Sequence, residues 1–220
     1  MKEARKKIRR LFRAVLVSLL AMTILSGCGR IYLTTGFKQD QLLQINGRYA
    51  PAAELKVYML DQIKQCQLVM GADALDGAAD EEMTREIKNR IREKALNQLV
   101  RVMTVNIMAI QDNIMLTNAE KQKAQEAAGA YFESLSAVEK EYLGTDKEAL
   151  TEMFCRYALA AKTCSSLGGG FEGQYQALLS RIDVDLNAAL WNTFEVNTVD
   201  ATASAANTFR SAYVRYCTGI

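Results

Sequence analysis

The 220-residue chain contains no histidine. That absence removes the usual general base, the Ser-His and Cys-His nucleophile pairs and most catalytic zinc sites. Proline is nearly absent, with Pro51 alone, and none of the five cysteines stands in a C-x-x-C spacing. A zinc or thioredoxin-type site is therefore not expected. A run long enough to cross a bilayer is also missing: Ala14 to Leu25 spans 12 residues, against the about 20 that a membrane helix needs. What is present is a chain half apolar in composition, with few helix breakers. That balance predicts a well-packed, mainly α-helical body.

The short apolar run has a context. Lys2, Arg5, Lys6, Lys7, Arg9, Arg10 and Arg13 precede it against the single acid Glu3, and Ser26, Gly27 and Cys28 follow. A basic segment, a short apolar segment and small residues at its end form the layout of an export signal. Leu25-Ser26-Gly27-Cys28 resembles the lipobox of bacterial lipoproteins over all four positions. The resemblance implies cleavage before Cys28 and acylation of its thiol, so Cys28 is expected to be the lipid anchor. Two or three acyl chains hold a protein stably where one does not. Residues 1–27 carry seven of the 27 basic side chains and one of the 25 acidic ones, which leaves 20 against 24 and a net charge of −4. No basic cluster remains to follow phosphates, so a nucleic-acid partner is not expected.

Residues 28–41 show no periodicity and read as a tether from the lipid. Asn46-Gly47 between Ile45 and Tyr49 predicts a tight hairpin. Leu55, Met59, Ile63, Cys66 and Met70 recur at helical spacing and predict a helix over 51–69, followed by a loop over 71–80. A stripe running from Met83 through Ile91, Leu99 and Met103 to Ile114 predicts one long helix over 81–115, and "LVRVMTVNIMAI" within it, apolar on nearly all sides, predicts deep burial. Thr117-x-x-Glu120, Ser136-x-x-Glu139 and Thr145-x-x-Glu148 each fit the capping box. They predict helices over 118–135, 137–142 and 146–166. Gly168-Gly169-Gly170 breaks the chain. A helix is expected from Phe171 to Arg181, then a short strand at "IDVDLN" and a helical turn at "NAALWNTF". The closing residues, "NTFRSAYVRYCTGI", suggest a last helix burying Phe209, Tyr213 and Tyr216. Trp191 and Phe194 need burial, which requires the C-terminal segment to pack back. Cys66, Cys155, Cys164 and Cys217 either pair as two disulfides or act as four buried thiols. Cys164 lies on an apolar stripe, whereas Cys155 points away from it.

The order of these parts is familiar. "INGRYAPAAELKVYM", "IREKALNQLVRVMTVNIMAIQDN" with "LTNAEKQKAQEAAGAYFESL", and "EYLGTDKEALTEMFCRYALAAK" carry a likeness over residues 45–162. The stretch resembles the N-terminal helical domain of SurA-like and PrsA-like extracytoplasmic foldases, in the lipoprotein form common in Gram-positive bacteria. The resemblance implies a chaperone-type helical domain over 42–167 that binds exported polypeptides through apolar surface. Many such foldases carry a parvulin prolyl isomerase domain next. Here the glycine linker 168–170 stands in its place, and 171–220 reads as the helical segment that follows such an insertion. Parvulin sites are built around histidines, so isomerase activity is the least favoured expectation.

Three functional readings follow. The first is a non-catalytic holdase or foldase on the outer face of the cytoplasmic membrane. Met103, Met108, Met115, Tyr131 and Trp191 are its candidate polypeptide-binding surface, since methionines and aromatics adapt to many sequences. Methionines at helical spacing also suit a core. The second is a scaffold lipoprotein with one dedicated partner. The third is an enzyme. Glu139 with Glu141 and Asp183 with Asp185 are its only paired carboxylates of note, and both pairs read as solvated charge. No cofactor, metal ligand set or catalytic residue is expected.

Overall fold

Asn46 and Gly47 both take positive φ, 50° and 74°, which is what a tight primed turn demands. The turn folds strand β2 (Gln41–Ile45) back onto β3 (Arg48–Pro51) as an antiparallel hairpin, as the dipeptide predicts. A computed structural model describes residues 30–38, 40–76, 81–197 and 207–217 of the chain. Cys28 and the signal expected over 1–27 lie outside the described residues.

The hairpin belongs to a four-stranded sheet of order β1-β4-β2-β3, with β1 at Arg30–Thr34 and β4 at Asp183–Asn187. Strand β4 enters beside β2 antiparallel, and β1 runs parallel to β4 from Arg30 opposite Asp183 to Thr34 opposite Asn187. Within the tether expected over 28–41, Arg30–Thr34 is a strand instead. The partner of β1 lies about 150 residues away in sequence, so no local pattern announces the strand. A register shift between Gln41 and Leu43 turns Leu42 and Leu43 both inward, and each is fully buried.

The rest is helical: α1 Ala52–Met70, α2 Glu81–Gln111, α3 Asn118–Ser134, α4 Ala137–Leu143, α5 Lys147–Leu167, α6 Phe171–Leu179, α7 Ala188–Trp191 and α8 Phe209–Cys217. A mainly α fold is thus what forms. Among the described residues no helix is long and apolar enough to cross a membrane. The second half of α2 is the spine: Leu99, Val102, Met103, Val105, Ile107 and Met108 are all buried against α1, α5 and their neighbours. Gly168–Gly170 is not an open linker. It is a 3-10 turn with Gly168 at φ +52°, and it leads directly into α6, whose Phe171 and Tyr175 are buried.

Two capping boxes form as the sequence predicts. The Thr117 hydroxyl accepts the Glu120 amide while Glu120 accepts the Thr117 amide, and Ser136 and Glu139 do the same at α4. The third box does not form: Asp146, not Thr145, caps α5, with Oδ1 accepting the Ala149 amide at 2.8 Å. Each capping glutamate also binds a lysine of another helix. Glu120 takes Lys162 of α5 at 2.7 Å, and Glu139 takes Lys64 of α1 at 2.7 Å. A local start signal becomes a tertiary latch.

The C-terminal helix completes the core. Phe209 is fully buried, with ring centroids 5.7 Å from Tyr58 (α1), 5.9 Å from Tyr131 (α3), and 4.0 and 5.3 Å from Phe154 and Tyr157 (α5). The expected burial of Phe209 therefore holds, and Tyr213 and Tyr216 are half-buried beside it. Phe194 is buried as well.

Candidate functional site

One stripe of α1 organises the polar interior. Glu54, Tyr58, Asp61 and Gln65 follow one another at spacings of four, three and four, which places them on one helix face. Along the first three turns every polar atom of the stripe faces a partner. The Tyr58 hydroxyl donates to Glu54 Oε1 at 3.1 Å, and Arg156 of α5 donates through Nη2 and Nε to Glu54 Oε2 at 2.7 and 3.1 Å. Burial, reinforced by the Glu54 carboxylate, holds the Tyr58 phenol well above its ordinary range. One turn on, Asp61 accepts the backbone amides of Phe209 and Arg210 at 2.7 and 3.0 Å. These are the first two amides of α8, which have no partner inside that helix. Asp61 is thus the cap of a helix that lies 148 residues away in sequence.

Burial pushes the Asp61 carboxyl up to about 6, against the opposing pull of the two amides and Lys64. A carboxyl so shifted in a cleft is a common mark of acid–base chemistry. Here both oxygens are occupied by backbone amides, and the group's work is to hold α8. Lys64, beside this stripe, is wholly buried. It meets Glu139 at 2.7 Å and donates to the Asn207 carbonyl at 3.0 Å. Glu139 is itself 1% exposed, which corrects its reading as a solvated charge. Asp183 is exposed and Asp185 half-buried on the sheet.

Past Asp61 the stripe opens. A groove of about 480 Å³ lies between α1, α2, α5 and α8, within the range of ligand pockets. Its floor is Val102, Val105 and Ala160, all buried. Its rim carries the side-chain amides Gln62 and Gln65 from α1 and Asn97 and Gln98 from α2. Tyr157 and Tyr213 form one wall, edge to face at 4.8 Å, and burial pushes the Tyr213 phenol up to about 12, so it stays a hydrogen-bond donor. Arg101, Arg210, Ala161, Cys164 and the edge of Asp61 also line the groove. Arg101 lies over the rings of Phe171 and Tyr175, 5.1 and 4.8 Å from their centroids, which fixes where its charge points. Its ion pair with Glu172 is long, at 3.4 Å, and exposed. One turn beyond Gln65, the helix ends in Leu68, Val69 and Met70, all exposed, with Val69 at 83%.

The surface expected from the sequence is mostly interior. Met103, Met108 and Tyr131 are 6%, 3% and 1% exposed, so they are core residues and line no binding surface. Met103 and Met108 lie on the apolar half of α2 that α1, α5 and their neighbours cover, and Tyr131 packs from α3 against Phe154 and Phe209. Met115 is 75% exposed beyond the end of α2. Trp191 is half-buried under Arg92, whose guanidinium carbon lies 4.4 Å from the ring centroid while its Nη2 donates to the Trp191 carbonyl at 2.6 Å. The structure does not gather these five residues into one patch. It gathers instead four amide side chains whose spacing alone, Gln62 with Gln65 and Asn97 with Gln98, carries no signal.

The described cysteines are free thiols: Cys66, Cys155 and Cys164 are half-buried and Cys217 is buried. Burial raises all four, Cys217 to about 11, so they are protonated at neutral pH. Among the described residues no cluster of side chains is arranged to hold a metal ion. Set against family models, curated proteins and solved structures, the chain matches none.

Proposed function

We propose that the chain is a membrane-anchored, non-catalytic binder of exported polypeptides, and that the groove between α1, α2, α5 and α8 is its client site. The observation that carries this reading is the pairing of an apolar floor with an amide rim in one groove, on a helix whose last turn exposes Leu68, Val69 and Met70. An amide side chain both donates and accepts. It matches a peptide backbone whatever side chains that backbone bears, while the apolar floor and tip take up exposed hydrophobic residues of an unfolded chain. Three consecutive exposed apolar residues on a helix that also lines the groove favour a binding surface. The resemblance of residues 45–162 to extracytoplasmic foldases supports the same reading. Cys28 supplies the anchor through the lipobox-like Leu25–Cys28, placing the protein on the outer face of the cytoplasmic membrane.

The test uses full-length, acylated protein with two unrelated unfolding clients, alongside a refolding reaction limited by proline isomerisation. The expected result is suppression of both aggregates with no faster isomerisation. Absence of suppression at several-fold molar excess overturns the reading. Selective capture of a single protein in its place points to a scaffold with one dedicated partner.

A further inference from the structure

The sheet has two ends, and the chain enters at only one of them. Strand β1 begins at Arg30. Because β1, β3 and β4 run in one direction and β2 in the other, Arg30, Asp183, Arg48 and the turn Asn46-Gly47 share that end. Arg181 arrives there two residues before Asp183. Arg30, Arg48 and Arg181 are all exposed, and among the described residues none is in an ion pair. Asp183, opposite Arg30 in register, is the one acid of this rim. Two residues further in, on the open face, Tyr32 and Tyr49 are 43% and 48% exposed. They belong to one cross-strand row, Tyr32 to Asp185 to Gln44 to Tyr49.

Arg30 is the second residue after Cys28, a reach of about 7 Å at full extension. If Cys28 carries acyl chains, as the function proposed above requires, Gly29 alone stands between the anchor and the sheet. The end of the sheet has to lie within that distance of the lipid headgroups. An anionic leaflet attracts each nearby arginine by an amount equivalent to about fivefold in affinity, and tyrosines suit the headgroup level.

We infer that the Arg30, Arg48 and Arg181 end of the sheet docks on an anionic phospholipid surface, fixing the orientation of the protein on its membrane. The acyl anchor supplies retention, and the arginine rim supplies orientation. This inference rests on the acylation of Cys28.

The test reconstitutes full-length, acylated protein into vesicles of phosphatidylcholine alone or containing phosphatidylglycerol, and follows amide hydrogen exchange. Intact mass first establishes the state of Cys28. Backbone amides over 45–48 and 181–183 are expected to exchange about fivefold or more slowly in the anionic vesicles, the factor of one surface arginine. The variant R30E/R48E/R181E is expected to lose that difference while remaining on the vesicles with its core protection unchanged. Acylated, membrane-bound protein with equal exchange in both vesicle types overturns the docking and leaves the anchor standing. An unmodified Cys28 on protein that washes off the vesicles overturns the anchor, and the docking falls with it.

Discussion

The two ends of the α1 stripe present the same kinds of atoms and use them in opposite ways. At Glu54, Tyr58 and Asp61 the polar groups are buried and partnered: Tyr58 by Glu54 on the same helix, Glu54 by Arg156 of α5, and Asp61 by the amides that open α8. At Gln65 the groups face an open groove. A buried polar atom without a partner costs a large part of its hydration energy, whereas an exposed one loses little. The covered end therefore has to be built as a complete network. The open end is free to accept whatever binds. The same helix is a girder at one end and lines an open groove at the other.

The strongest way to break this comparison is at Lys64 and Glu139, which are 0% and 1% exposed. Lys64→Met leaves a buried carboxylate without its cation, and Glu139→Gln leaves a buried ammonium without its anion. Each single change is expected to cost about 3–5 kcal/mol. The double variant is expected to be more stable than either single one, because no unpaired charge remains and the introduced side-chain amide still accepts the Ser136 backbone N–H through its oxygen. Chemical denaturation midpoints with a shared slope provide the measurement. Single variants that cost less than about 1 kcal/mol would mean that the interior is wetter than the burial implies.

Asp61 sharpens the comparison through pH. Its carboxyl is raised by burial to about 6 in the folded chain, against about 3.9 in an unfolded one. The folded state therefore holds the proton more tightly, and the stability from this group is fully present below about pH 4 and lost as pH rises through about 6. The loss over that window is about 3 kcal/mol. Asp61→Asn removes the titration, so its stability is expected to gain on wild type by about that amount between about pH 4 and pH 7. Denaturant titrations of both proteins across that window measure it. Parallel curves would show that Asp61 does not titrate there.

Legibility in the sequence follows the distance over which each feature is specified. The Asn46-Gly47 turn and the caps at Thr117 and Ser136 are set by short consecutive stretches and stand where the sequence places them. At Thr145 two adjacent residues compete, and the Asp146 carboxylate takes the cap, moving the start of α5 by one residue. Strand β1 is not readable, since RIYLT becomes a strand only beside Asp183–Asn187. Glu139 is readable as a cap but not as a buried ion, because Lys64 comes from a helix some 70 residues earlier. The methionines of α2 illustrate the converse. Helical spacing announces an apolar face, and only the packing of α1 and α5 decides that Met103 and Met108 fall inside it. The groove is invisible for the same reason, as its rim draws on two helices and its floor on α2 and α5 together.

The smallest expected effect on stability falls at the open end, and it is the one that separates binding from folding. Gln62, Gln65 and Gln98 line the groove from two helices, Gln65 exposed and the other two half-buried. Truncating all three to alanine removes side-chain amides that water already solvates, and alanine is the better helix former. Each substitution is expected to move stability by no more than about 0.5 kcal/mol. Client holding is expected to fall severalfold, because the apolar floor then lacks groups to satisfy the peptide backbone it desolvates. A triple variant that folds normally and still suppresses aggregation would move the client site to the exposed Leu68–Met70 tip. One that loses both stability and holding would show that the open end of α1 belongs to the network after all, and that its polar stripe is a single structural device from Glu54 to Gln65.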